Sequence, residues 1–282
     1  MDDPPRRHPL SGPTAAVIPD GLDATLVLVR HGESVLITQE RFQGQSETPL
    51  SPTGLRQAAL VARRLAHPHD APALPVPAGE PLEIVHSPLQ RTSQTASAIV
   101  GALATSGMTV RTIRPDPGFL EIGQGAWEGL LATEIRERYS EELAAWRRRP
   151  LEAWAPGGES LPQVAERVRP ALASLLERLA RGRPPGTHDR SQVASSRDPL
   201  PDHPWSIVVG HDGVFKVALL TLFDVPLERF WMWSMDLCAI TVVELRAGRA
   251  VLRAHNLTAH LAGLLDDEAQ ADLEERSRSG AL

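Results

Sequence analysis

Apolar and polar positions alternate along this chain in a way that separates strands from helices. Thr25 to Arg30 (TLVLVR) is a short, continuous apolar run ending on a charge, the pattern of a strand covered on both faces. Ser51-Pro52 then opens a helix, with serine in the capping position and proline at the first helical residue, and Leu55, Ala58, Ala59, Ala62 and Leu65 recur at helical spacing to form its apolar face. A second strand is predicted over Leu82 to Val85, leading into a helix over Leu89 to Leu103, and a third strand over Thr109 to Ile113. Two amphipathic helices follow, Leu131 to Arg148 and Leu161 to Arg181. After them come a strand at Trp205 to Val209, a helix from Gly213 to Phe223, and a strand pair at Ala239–Leu245 and Ala250–Ala254 that turns at Gly248. Strands alternating with helices predict an α/β fold with a mostly parallel central sheet, a hairpin at its end and a helical insert between Leu131 and Arg181.

Four stretches break this pattern: residues 1–24, 67–81, 182–204 and 262–282 are rich in proline, turn formers or charge. They read as a leader, two surface insertions and an acidic tail, all facing solvent, around one domain spanning 25–261. The chain has 282 residues, 29 basic and 35 acidic, for a net charge of −6, which argues against nucleic acid as a partner because that binding rests on basic patches. No apolar run approaches the roughly 18 residues of a membrane span, and Met1 to Gly12 lacks the apolar core of an export signal, so a cytoplasmic protein without a membrane partner is expected. The single cysteine, Cys238, lies in an apolar, strand-like run and reads as a buried thiol, not a nucleophile. A monomer and a homodimer fit the sequence equally.

In open α/β sheets ligands sit beyond the carboxyl ends of the strands. Those ends are polar here: Arg30-His31-Gly32-Glu33-Ser34 after the first strand, Ser87-Pro88-Leu89-Gln90-Arg91 after the second, Leu120-Glu121-Ile122-Gly123 after the third and Gly210-His211-Asp212 after the fourth. Two arginines, two histidines and a glutamate converging on one mouth suit a phosphoryl group. Guanidinium groups pair bidentately with phosphate oxygens and stay charged, which fits Arg30 and Arg91. Neighbouring positive charge holds an imidazole neutral, and hence nucleophilic. A leaving alkoxide needs a proton, and Glu121 can supply it if an adjacent dianion raises its pKa.

The strings LVLVRHGES, RFQGQSETPLSPTG, SPLQRTSQTA, LEIGQGAWEG, PGGES and VGHDGV resemble, in that order, the signatures of the histidine phosphatase superfamily, which includes phosphoglycerate mutases. The resemblance runs from Thr25 to Leu261. It implies a three-layer fold and a phosphomonoesterase acting on a phosphorylated small molecule, with no metal or organic cofactor. It further implies His31 as the nucleophile that becomes phosphohistidine, and Arg30, Arg91 and His211 as the rest of the phosphate pocket. Glu121 would be the proton donor, while Gln43 and Gly44 would line the phosphate. Many members carry asparagine six residues after the nucleophile, where this chain has Ile37; Thr38 or the Gln43 loop then substitutes, or phosphate is held more weakly.

Trp127, Phe230, Trp231 and Trp233 together suit an apolar substrate wall, but aromatics in such numbers are more often core, so Trp127 alone is expected at the pocket rim; His86 is expected either in the core or on the rim, and Arg147-Arg148-Arg149 as a solvated helix end. Phosphoglycerate mutases resemble one another in a segment with Tyr-Gly, Gly and Asn-Lys elements, but the one tyrosine here, Tyr139, and the one lysine, Lys216, fall outside any such motif. The surroundings of Trp127-Glu128-Gly129 look more like broad-specificity, α-ribazole and glucosyl-3-phosphoglycerate phosphatases. A mutase and a non-catalytic phosphate-binding module stand as the alternatives, the second favoured only by Ile37.

Overall fold

The computed structural model describes residues 16–182 and 203–264. In chain order its elements are β1 (Ala24–Arg30), α1 (Val35–Thr38), α2 (Pro52–Ala66), β2 (Ile84–His86), α3 (Gln90–Thr105), β3 (Ile113–Pro115), α4 (Ala132–Arg138) and α5 (Ser140–Arg148). Then come α6 (Leu161–Arg181), β4 (Trp205–Gly210), α7 (Asp212–Leu222), β5 (Ile240–Arg246) and β6 (Arg249–Leu257). The sheet has 6 strands in the order β3-β2-β4-β1-β5-β6. The first four run parallel, and β5 and β6 add an antiparallel hairpin. Its turn places Ala247 (φ 47) and Gly248 (φ 78) together in the left-handed region, the geometry that suits the twist of a tight hairpin.

Successive side chains of a strand face opposite sides, so β1 feeds two cores. Leu26 and Leu28, with Val208 and Val243, pack against α6 and α7, for example on Val168, Leu172 and Phe215. Val27 and Val29, with Ile207 and Val242, pack against α2 and α3 on Val61, Leu65 and Ile99. Helices on both faces of a sheet make the three-layer α/β architecture. Among the described residues no helix is long and apolar enough to cross a membrane.

Several local expectations change. The buried face of α2 is Gly54, Gln57, Ala58, Val61, Ala62 and Leu65, whereas Leu55 is 51% exposed. The helix is rotated because Gln57 Oε1 accepts the Glu33 amide at 2.8 Å, and a Cβ on Gly54 would lie 1.9 Å from the Glu33 carbonyl oxygen. The helix thus lies backbone to backbone on the loop after β1. The third strand forms later than predicted, as a short edge strand with exposed side chains. The segment Leu131 to Arg148 is two helices, broken at Tyr139, whose φ of −133° and ψ of 33° leave the helical region. Cys238 is buried but precedes β5, with φ 53. Residues 67–81 are not wholly solvated, since Leu74 and Val76 are buried in the core beside α2 and α3, and the leader's last residues also pack, with Leu22 buried. Residues 1–15, 183–202 and 265–282, which hold most of the expected leader, the second insertion and the tail, lie outside the described residues.

Candidate active site

The tips of β1, β2 and β4 are tied to one another. The His31 amide donates to the Gly210 carbonyl at 3.0 Å, Ser87 N to Val209 O at 3.0 Å, and Cys238 N to His31 O at 3.3 Å. These bonds bring His31 and His211 together with ring centroids 5.0 Å apart. His31 Nδ1 lies 2.7 Å from the Gly32 carbonyl oxygen. A carbonyl only accepts, so Nδ1 carries the proton and Nε2 of the neutral ring keeps its lone pair. His211 Nε2 lies 2.8 Å from Ser87 Oγ, while its Nδ1 is buried without a hydrogen bond.

Arg30 is anchored by Nη1 donating to Met235 O at 2.5 Å. Arg91, at the start of α3, is fully buried and donates from Nη1 to Ser46 O at 2.9 Å and from Nη2 to Gly44 O at 2.8 Å. Gly44 therefore contributes its carbonyl to hold the arginine; with φ +50 and a Cβ that would sit 2.1 Å from Glu128 Oε1, no other residue fits there. The Nε atoms of Arg30 and Arg91 are buried and make no hydrogen bond. Unused buried donors carry a large desolvation cost, so the two Nε–H groups, beside the unbonded Nδ1 of His211, would be relieved by an anion bound there. Burial, then Arg91 and Arg30, hold the His31 pKa well below the ordinary 6.5. Burial and then Arg91 do the same to His211. Burial lowers Arg91 to about 10, which leaves it charged at neutral pH.

Glu121 follows the turn Pro117–Phe119 and lies half-buried in a cage of amides: Oε1 accepts from Ile122 N at 2.9 Å and Val214 N at 3.0 Å, and Oε2 from Gly213 N at 3.2 Å. Burial raises its pKa, and Asp212 adds to the rise, against the opposing pull of the amides. A set of residues that sequence reasoning missed fixes its backbone. Arg167 Nη2 and Gln45 Nε2 donate to Glu121 O at 2.9 and 3.0 Å, and Glu159 Oε2 joins both side chains at 2.8 and 3.0 Å. The signal for this set lies in the PGGES string, where a Cβ on Gly158 would meet Gly123 O at 2.4 Å. Ser87, within the SPLQR string, was likewise not assigned a role.

Gln43 is buried, its Oε1 accepting from Ser34 Oγ at 2.6 Å, which turns its amide NH2 away from Ser34. Thr38 does not stand in for the absent asparagine: it is exposed, and its hydroxyl donates to Val35 O at 2.7 Å. A cavity of about 410 Å³ opens from Arg30, Glu121 and Gly213 toward Trp146, Phe230 and Trp231. Two of the aromatic assignments therefore change, those of Trp127 and Trp231, while Phe230 is 2% exposed and sits in the core as expected, reaching the cavity only as part of its wall. Trp127 is 1% exposed, packs on Phe42 (6.0 Å) and Tyr139 (6.3 Å), and is not among the cavity's lining residues, whereas Phe230 and Trp231 are. Periodicity registers that an aromatic is buried but not which face of a loop it takes. Arg147 is exposed, as expected of a helix end, but sits on the cavity lip. His86 bonds the Ser87 carbonyl at 2.7 Å and does not line the cavity.

The profile of the histidine phosphatase superfamily (branch 1) matches residues 26–183 and 193–258. Phosphoserine phosphatase 1 of Hydrogenobacter thermophilus is 30% identical over 237 residues, 84% of this chain and 93% of that one. A probable phosphoglycerate mutase GpmB of Yersinia pestis (strain Pestoides F) is 34% identical over 252 residues, covering 86% and 97%. Among solved structures, the mycobacterial glucosyl-3-phosphoglycerate phosphatase complexed with VO3 matches with a TM-score of 0.63 and 28% identity over 83% of this chain and 99% of that one.

Proposed function

The chain belongs to the histidine phosphatase superfamily, and from that membership we propose that it is a phosphomonoesterase that hydrolyses a small phosphorylated metabolite through a phosphohistidine on His31. The observation that carries this reading is an imidazole tethered through Nδ1 to Gly32 O and set among two guanidinium groups with unused buried Nε–H donors and a second imidazole whose Nδ1 has no partner.

In this reading Arg30, Arg91 and His211 take the phosphate oxygens and neutralise charge as it spreads over them. We assign the His211 proton to Nδ1, with the Ser87 hydroxyl donating to Nε2, so that the free Nδ1–H faces the anion. The lone pair on His31 Nε2 attacks phosphorus in line. The new N–P bond forms as the P–O bond to the alcohol breaks, and protonated Glu121 gives its proton to the departing oxygen. The resulting Glu121 carboxylate then takes a proton from water, whose oxygen attacks phosphorus, breaks the N–P bond and releases inorganic phosphate. Gln43 and the carbonyls of Gly44 and Ser46 keep the arginine and the loop in register.

The test is phosphate release from p-nitrophenyl phosphate in buffer containing EDTA, compared with His31→Ala, together with acid quenching of a ³²P-labelled turnover mixture. Activity lost in the variant, and an acid-labile, base-stable label on His31, are the expected results. Turnover at the parental rate in His31→Ala refutes the assignment. Conversion of 3-phosphoglycerate to its 2-isomer without net phosphate release would make the protein a mutase instead.

A further inference from the structure

The alcohol leaving group must extend away from Glu121, because that carboxyl meets the bridging oxygen, and the cavity that starts at Glu121 and Arg30 leads to an aromatic surface. Trp146 lies 5.5 Å from Phe230 and 5.4 Å from Trp231, ring centre to ring centre, and Phe230 lies 4.8 Å from Trp231. The three rings come from two separate parts of the chain, α5 and the turn Leu227–Met232, and pack on one another, with Phe230 buried at 2% exposure as the backing, Trp146 half-buried and Trp231 presenting the open face. Trp231 is 45% exposed, a large apolar surface that a bound apolar group would cover.

The polar groups beside the wall are already engaged. Lys216, the one lysine of the chain, holds Asp212 through Nζ and Oδ2 at 2.6 Å. The same Nζ lies 5.2 Å from the Trp231 ring centre and 5.4 Å from that of Phe230. Its charge is spent on a carboxylate and two π-faces, and with a side chain 7% exposed it props the wall instead of offering itself to a second anion. A small sugar acid would leave the rings uncovered and, among the described residues lining the cavity, would find besides Lys216 only Arg30, which this reading gives to the phosphate, and Arg147 out on the lip.

Resting on the phosphatase reading, we propose that Trp146, Phe230 and Trp231 form a leaving-group subsite, and that the preferred substrates are phosphomonoesters of alcohols bearing a flat apolar or aromatic group. The test compares 2-phenylethyl phosphate with ethyl phosphate, whose alcohols differ in one phenyl ring and little in acidity. The full-length protein should favour the phenylethyl ester in kcat/KM by at least about tenfold, the discrimination an apolar pocket gives to a group of this size. Trp231→Ala should bring that ratio close to one, and Trp231→Phe should keep most of it. Independently, 2-phenylethanol should compete with p-nitrophenyl phosphate where ethanol at the same concentration does not. Equal efficiency on both esters, a ratio unmoved by Trp231→Ala, or no competition by 2-phenylethanol overturns the subsite while leaving the phosphatase reading standing. Absence of phosphate release from all three esters overturns both.

Discussion

Glu121→Gln keeps the outline of the side chain and removes its proton. If Glu121 protonates the leaving oxygen, the loss depends on how badly that oxygen needs the proton. Positioned acid catalysis contributes about 10²–10⁴-fold, or roughly 3–5 kcal/mol at 1.36 kcal/mol per decade. Ethoxide needs all of it; p-nitrophenolate, a stable anion, needs almost none. The variant should therefore lose about 10²–10⁴-fold in kcat/KM, which reports only the steps up to release of the alcohol, on ethyl phosphate and no more than about tenfold on p-nitrophenyl phosphate. Part of the change has another source. The carboxylate accepts from the amides of Ile122, Gly213 and Val214, and a carboxamide nitrogen turned toward them would leave donors facing donors. That costs on the order of 1–3 kcal/mol of stability, which a thermal melt measures separately. The pH profile gives a second reading. Burial and Asp212 raise the Glu121 pKa, so kcat on ethyl phosphate should fall as pH rises through the elevated value, and that limb should be missing with the aryl ester. An equal loss of kcat/KM on both esters in a folded variant refutes the proton-donor role.

Arg91→Ala should lower kcat by about 10²–10³-fold, the usual weight of one charged contact to a developing anion, and should raise KM as Gly44 and Ser46 lose their donor; parental kinetics would exclude Arg91 from the pocket. Gly54→Ala should destabilise by at least about 1–3 kcal/mol in urea denaturation, because its Cβ would fall 1.9 Å from the Glu33 carbonyl oxygen and α2 must lift off the loop that bears His31. An unchanged midpoint would show that the helix is not seated as described. His31 and His211 have depressed folded-state pKa values, so their neutral forms contribute stability that is complete above the unfolded value of 6.5 and is lost as pH falls through the folded values. In that window the slope of stability against pH should be shallower in His211→Gln than in the parent by about one proton, near 1.4 kcal/mol per unit, and identical slopes would refute the buried neutral state.

Much of this was legible in the sequence. TLVLVR could only be a strand covered on both faces, and the polar residues ending each parallel strand had to share one edge of the sheet. Arg30, His31, Arg91, Glu121 and His211 all fall in or after those tips. The rotation of α2 was not legible, because it follows from Gly54 and Gln57 meeting a backbone far away, and apolar periodicity counts neither residue. Nor was the Glu121 cage, since Gln45, Glu159 and Arg167 are ordinary surface residue types until two loops and helix α6 bring them together. Trp127 and Trp231 exchanged places for the same reason: a loop tryptophan carries no mark of whether it looks inward or toward a ligand.

The two imidazoles sit on neighbouring strands at the centre of the sheet, Arg30 opposite Gly210 in the register of β1 and β4, with further strands on either side. Their separation is thus inherited from main-chain pairing, with α7 starting directly after His211. The surface near the outgoing alcohol comes instead from α5 and the turn Leu227–Met232, segments outside the sheet. Changes there can redirect which molecules are accepted while the bond-breaking apparatus stays in tune, so one ancestral framework can serve many diets.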